Sequence, residues 1–138
     1  MQSPLMPSPL LFPMAAHVAL TASLYAALTL ARAPAVWGWG RPRSAAFEPR
    51  ISANLSNQFE WPLFFHVGCV LTMLASIPPT PSVVLAWVFI AGRIAHSLVQ
   101  ILVPNIRLRG IVFTVNFLAV LGLWVVLVGA SIQRMPPG

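Results

Sequence analysis

Arg93-Ile94-Ala95-His96-Ser97-Leu98-Val99-Gln100 sits in the middle of an otherwise apolar run from about Ser82 to Val103. An arginine at the centre of a lipid-spanning helix costs about 2.5–3.5 kcal/mol on insertion scales unless it finds a partner or water. Residues 93, 96 and 100 recur at spacings of three and four, so guanidinium, imidazole and amide share one helix face. A polar stripe in an oily helix requires polar groups on a facing helix, and the rest of the chain must supply them.

The composition leaves one environment for such a helix. The chain has 138 residues, 58% of them hydrophobic and only 7% charged, too little polar surface for a soluble domain. Its mean hydropathy is +0.83. Crossing ~30 Å of hydrocarbon at ~1.5 Å per residue takes roughly 20 residues, so the length accommodates a single four-span domain. All eight basic residues are Arg, the only acids are Glu48 and Glu60, and the net charge is +6. Arginines in loops beside apolar spans suit anionic lipid headgroups rather than nucleic acid. The single Cys69 lies in an apolar run, which fits a small core residue.

The expected fold is therefore all-α: an integral membrane four-helix bundle running up-down-up-down, with spans at about 10–31, 51–77, 82–103 and 111–132. Residues 1–9 carry Pro4, Pro7 and Pro9 and no charge, which predicts an extended leader. Without a basic region before Arg32, the first span is expected to be retained rather than cleaved. His17 in that span and His66 in the second read as structural histidines. The connection from Arg32 to Arg50 holds Trp37, Trp39, Arg41 and Arg43, an interfacial anchor pattern. Ala119, Gly122 and Gly129 in the fourth span permit close helix packing. Six arginines lie in the first and third connections (Arg32, Arg41, Arg43, Arg50, Arg107 and Arg109) against Arg134 on the other side. By the positive-inside rule the 32–50 and 104–110 loops face the cytoplasm. Lys-free, Pro- and Ala-rich composition points to a bacterial source and hence its inner (plasma) membrane.

The second span opens with Asn54, Asn57 and Glu60, spaced by three and so on one helix face, just before Pro62, which should bend the helix near Glu60. The second and third spans are joined by the tight turn at 77–81, making them antiparallel neighbours. Residues at matching depth then pair as Glu60 with Arg93, Asn57 with His96 and Asn54 with Gln100. Two readings follow from this ladder: a polar cleft open toward the cytoplasm, or a buried network that fixes helix register.

The chain resembles the MAPEG superfamily, the membrane-associated proteins in eicosanoid and glutathione metabolism. The resemblance rests on the four-span layout, Arg50, Asn57-Gln58-Phe59-Glu60 with Pro62, Arg93-Ile94-Ala95-His96, and the basic Arg107-Leu108-Arg109. It implies a homotrimer that binds glutathione near the cytoplasmic side and acts on a lipophilic small molecule. Carried onto this sequence, Arg50, Asn57, Glu60, Arg93 and His96 would contact glutathione, joined by Asn54 and Gln100 of the ladder. Arg107 or Arg109 would be the catalytic arginine, since a fixed cation favours thiolate over thiol. The chain departs from the family pattern at Ala53, where an arginine is common, at Gln100, where a tyrosine is common, and at the split pair Glu48-Pro49-Arg50. These departures leave open a non-catalytic trimeric relative whose cleft is structural or binds another ligand. Intramembrane charge also suits a small transporter or channel subunit, though four short spans without broken repeat halves disfavour a transporter. With no nucleophile elbow, phosphate loop or metal-ligand cluster in the sequence, no metal site is expected.

Overall fold

The computed structural model describes residues 8–40 and 46–134; the leader through residue 7, Arg41 and Arg43 lie outside the described residues. Five helices follow in order: α1 (Leu11–Val36), α2 (Glu48–Ser56), α3 (Trp61–Leu74), α4 (Thr80–Leu102) and α5 (Ile106–Gln133). Three of them, α1, α4 and α5, are long and apolar enough to cross a membrane. Between α1 and α4, the stretch 51–77 carries two helices in place of one.

Proline chemistry sets these boundaries. Pro13 lies in the first turn of α1, Pro49 of α2, Pro62 of α3 and Pro81 of α4, where the missing N–H is one that no helix would use. Pro62 cannot continue α2: it has no N–H to offer Gln58 and its ring crowds that carbonyl. The chain therefore turns through Asn57–Glu60 and restarts as α3. Pro104 holds Val103 in extended backbone (φ −115°, ψ 121°), ending α4. Asn105 then caps α5 by accepting from the Leu108 N–H at 3.1 Å. On α1, the hydroxyls of Thr21, Ser23 and Thr29 donate to carbonyls of the preceding turn, which satisfies them without water.

Helices α3, α4 and α5 enclose an apolar core of Phe65, Cys69, Ala86, Phe89, Ile90, Ala119, Val120 and Leu123, with Leu10 against it. The Phe65 and Phe89 rings stack with centroids 4.3 Å apart. A second apolar cluster, Leu24, Leu28, Ile51 and Leu55, binds α1 to α2. Close approach of α4 and α5 relies on Gly92, against which the Asn116 amide lies, and on Gly122, under Leu85. Gly129, by contrast, faces open space. Arg134 donates to the carbonyls of Ala75 and Ser76, tying the end of α5 to the α3–α4 turn. Trp37 and Trp39 stack in the exposed turn after α1, where an interfacial anchor is expected.

Candidate functional site

The α2–α3 break creates the requirement that Arg93 meets. Freed from a helix partner, the Asn57 carbonyl accepts from Arg93 Nη2 at 3.0 Å, while Arg93 Nε donates to Gln58 Oε1 at 3.2 Å. Irregular backbone within a membrane persists only where such a neighbour satisfies it. Arg93 is 1% exposed, Asn54, Gln58 and Ser97 around it are buried too, and Asn57 and Gln100 are half-buried at the edge of the network. Gln58 Nε2 donates to Asn54 Oδ1 (3.1 Å), and Ser97 Oγ donates to the same oxygen (2.9 Å). Asn54 Nδ2 and Asn57 Nδ2 both donate to Gln100 Oε1, at 2.9 and 3.2 Å.

The pairing of Asn54 with Gln100 is present, whereas two other rungs of the expected ladder differ. Glu60 is exposed in the turn and forms no ion pair with Arg93; the one ion pair among the described residues joins Arg32 to Glu48 at 2.8 Å. The helical spacing that aligned 54, 57 and 60 stops at the break, so Glu60 leaves the face and Gln58 takes the inward position. Asn57 bonds to Gln100 rather than to His96.

Above this network lie two contiguous cavities. One, about 390 Å³, is lined by Arg50, Ala53, Gln100, Asn105 and Arg109 among others. The second, about 370 Å³, is lined by Asn57, His96, Gln100, Arg109 and Phe113 among others. Both volumes fall in the range of small-molecule pockets, roughly 300–1,000 Å³. Gln100 and Arg109 border both, and no carboxylate borders either. The α5 N-terminus adds unpaired backbone N–H groups and the positive end of the helix dipole. Arg50 is anchored by donating to the Ile101 carbonyl at 3.1 Å. Because Gln100 Oε1 is already occupied by two amides, its Nε2 remains to donate. His96 is buried against Phe113, ring centroids 6.1 Å apart, and its Nδ1 has no partner among the described residues.

The cavities thus gather Arg50, Asn57, His96, Gln100 and Arg109. Asn54 and Arg93 lie below in the network, while Arg107 and Glu60 are exposed and line neither cavity. Sequence reasoning missed Gln58, the hub of the network, and Ser97. It read His17 and His66 as structural histidines without naming their partners: His17 is buried, its Nε2 lies 3.1 Å from Gln58 Oε1 and its Nδ1 3.1 Å from His66 Nε2. The four-residue step from Asn54 to Gln58 was the available signal for Gln58.

No curated protein and no solved structure matches this chain. The family model described as MAPEG family matches residues 10–129, nearly the whole chain and all five helices but the end of α5. With membrane-length helices and that match, the chain is an integral multi-pass membrane protein that belongs to the MAPEG family.

Proposed function

We propose that the chain is a membrane-bound, glutathione-dependent transferase or peroxidase acting on a lipophilic substrate, and that it works as a homotrimer. In this reading the 32–50 and 104–110 loops face the cytoplasm of a bacterial plasma membrane. The observation that carries it is the carboxylate-free double cavity bordered by Arg50, Arg109 and the α5 N-terminus. Glutathione has two carboxylates, and guanidinium groups and helix N-termini are the groups that hold carboxylates best. Bound there, it would supply a sulfur nucleophile for an electrophilic partner.

The residues divide the work by position. Arg50 and Arg109 would hold the anionic ends, and the free N–H groups of Gln100 would donate to the peptide. Of the two candidate catalytic arginines, Arg109 borders the cavities and would favour the ionised sulfur; Arg107 has no such place. Asn54, Gln58, Arg93 and Ser97 would act through positioning, since their polar atoms are spent on one another. Ala53 borders the first cavity where the family pattern has an arginine, so that contact is given up in exchange for space.

A second reading has its own support. The buried network is satisfied without any ligand, as a purely structural device would be. Calorimetric titration of glutathione into the detergent-purified protein separates the two. Saturable binding weakened at least about tenfold by Arg109→Ala and by His96→Ala is the expected result, tenfold being the loss of about one charge-assisted contact. Folded protein that binds no glutathione at millimolar concentration overturns the transferase reading and favours a non-catalytic relative.

A further inference from the structure

The His17–His66 pair lines neither cavity of the cleft and has no role in the function above. Its hydrogen-bond polarity is set by Arg93. Arg93 Nε can only donate, so the Gln58 oxygen must face it at 3.2 Å, and the Gln58 amide nitrogen faces Asn54 Oδ1 at 3.1 Å. His17 Nε2, 3.1 Å from that same oxygen, must then carry a hydrogen. A second cation sharing one amide oxygen with a buried guanidinium would be costly, so His17 is neutral and its Nδ1 is bare. His66 Nε2, 3.1 Å from that bare nitrogen, must donate to it. A charged ring beside an apolar groove would be costly as well, so His66 is neutral, carries its one hydrogen on Nε2 and leaves Nδ1 as an acceptor with no partner among the described residues.

His17 and His66 border a groove of about 420 Å³ between α1 and α3. Its walls are Val18, Ala22, Tyr25, Phe59 and Leu63, with the Tyr25 and Phe59 rings edge to face at 6.3 Å. Val18, Tyr25, Phe59 and Leu63 are each about half exposed or more, so the groove opens sideways to lipid. Thr21, also at its edge, spends its hydroxyl on the His17 carbonyl. Gln58 also lines the groove, and its polar atoms, like those of His17 and Thr21, are engaged within the protein, which leaves His66 Nδ1 and the Tyr25 hydroxyl as its free polar groups among the described residues. An aromatic-walled groove of this kind matches a neutral ring bearing one strong donor.

We propose that this groove binds a lipophilic phenol from the bilayer, its hydroxyl donating to His66 Nδ1 and its ring and tail lying along Phe59, Leu63 and Val18. The site is separate from the glutathione cleft, and glutathione is left out of its test. The probe is 4-nonylphenol, compared with 4-nonylanisole, in which a methyl replaces the hydroxyl hydrogen. Binding to detergent-purified protein is followed by the ¹⁵N resonances of labelled histidine. The expected result is one saturable site, a His66 Nδ1 signal that starts as a bare nitrogen and shifts on binding, and affinity for the anisole lower by about tenfold. His66→Phe should bind phenol and anisole alike. Leu63→Trp, a change on the lipid-facing wall, should block the phenol with His66 unaltered, which keeps the test decisive if His66→Phe fails to fold. A protonated Nδ1 in the free protein, unsaturable partition into the micelle, equal affinity for phenol and anisole, or phenol binding unaffected by Leu63→Trp overturns the proposal.

Discussion

From Gly92 toward Gln100 the bundle is joined by polar atoms buried against one another, whereas from Ile90 back toward Ala86 it is joined by carbon on carbon. Both stretches belong to α4 and face neighbouring helices in the same surroundings. In lipid, apolar contact brings no hydrophobic gain between helices, so the Phe65–Phe89 side holds through shape and close approach. Hydrogen bonds are directional, so the Asn54–Gln58–Arg93–Ser97 side admits one register and one orientation of each amide. It also leaves donors and cavities at its edge, which is why the candidate site lies beside the network and not beside the aromatic stack.

The largest expected effect tests whether the polar side depends on its bonds. Gln58→Leu keeps roughly the volume but strips the acceptor shared by Arg93 Nε and His17 Nε2, and the donor to Asn54. Buried donors left without partners cost about 1–3 kcal/mol each, more when charged, so a total loss of about 3 kcal/mol is expected. Unfolding in increasing denaturing detergent measures it. A loss below about 1 kcal/mol would mean that shape holds this side as well.

That hub also marks where the sequence stopped being legible. The helical content, the membrane setting and the inward face of Arg93 could all be read from composition and spacing, whereas Pro62 announced only a bend in one span where the chain breaks into two helices. Glu60 could not be placed, because spacing by three describes a continuous helix and the chain leaves helical geometry at Asn57. Depth matching across the 77–81 turn placed Asn54 opposite Gln100, yet depth says nothing about azimuth, and so Asn57 was assigned to His96 rather than Gln100. The His17–His66 contact joins residues 49 apart on helices whose own patterns show no polar face. Only the assembled fold brings them together.

Two glycines sharpen the same comparison at intermediate cost. A Cβ on Gly92 would run into the Asn116 amide, which is fully buried and has no hydrogen-bond partner among the described residues. Gly92→Ala should therefore lose about 2 kcal/mol by overpacking between α4 and α5, and adding Asn116→Ala should recover most of it. On the apolar side, a Cβ on Gly68 would meet Leu123 Cδ2 at 2.6 Å, the far end of a side chain that can turn aside. Gly68→Ala should cost about 1 kcal/mol, at the low end for an overpacked core. Thermal midpoints of the three variants order the effects. Equal losses would show that both sides are packed with the same rigidity.

The smallest effect belongs to the ion pair, although it contains a better-matched charge partner than Arg93 has. Arg32 Nε and Nη2 both reach Glu48 Oε1, at 2.9 and 2.8 Å, between the end of α1 and the start of α2. The side chains remain 52% and 32% exposed, where water and salt compete for both charges. Removing the pair by Glu48→Gln should change stability by less than about 1 kcal/mol, and raising the salt should erase even that. Arg93 makes the contrast plain: it forms no ion pair and is fixed by neutral acceptors, because enclosure rather than opposite charge makes a polar contact expensive to lose. A loss above about 2 kcal/mol at Glu48 would exceed what an exposed pair contributes. It would mean that this junction is covered in the working protein, as it would be where a second copy of the chain packs against α1 and α2.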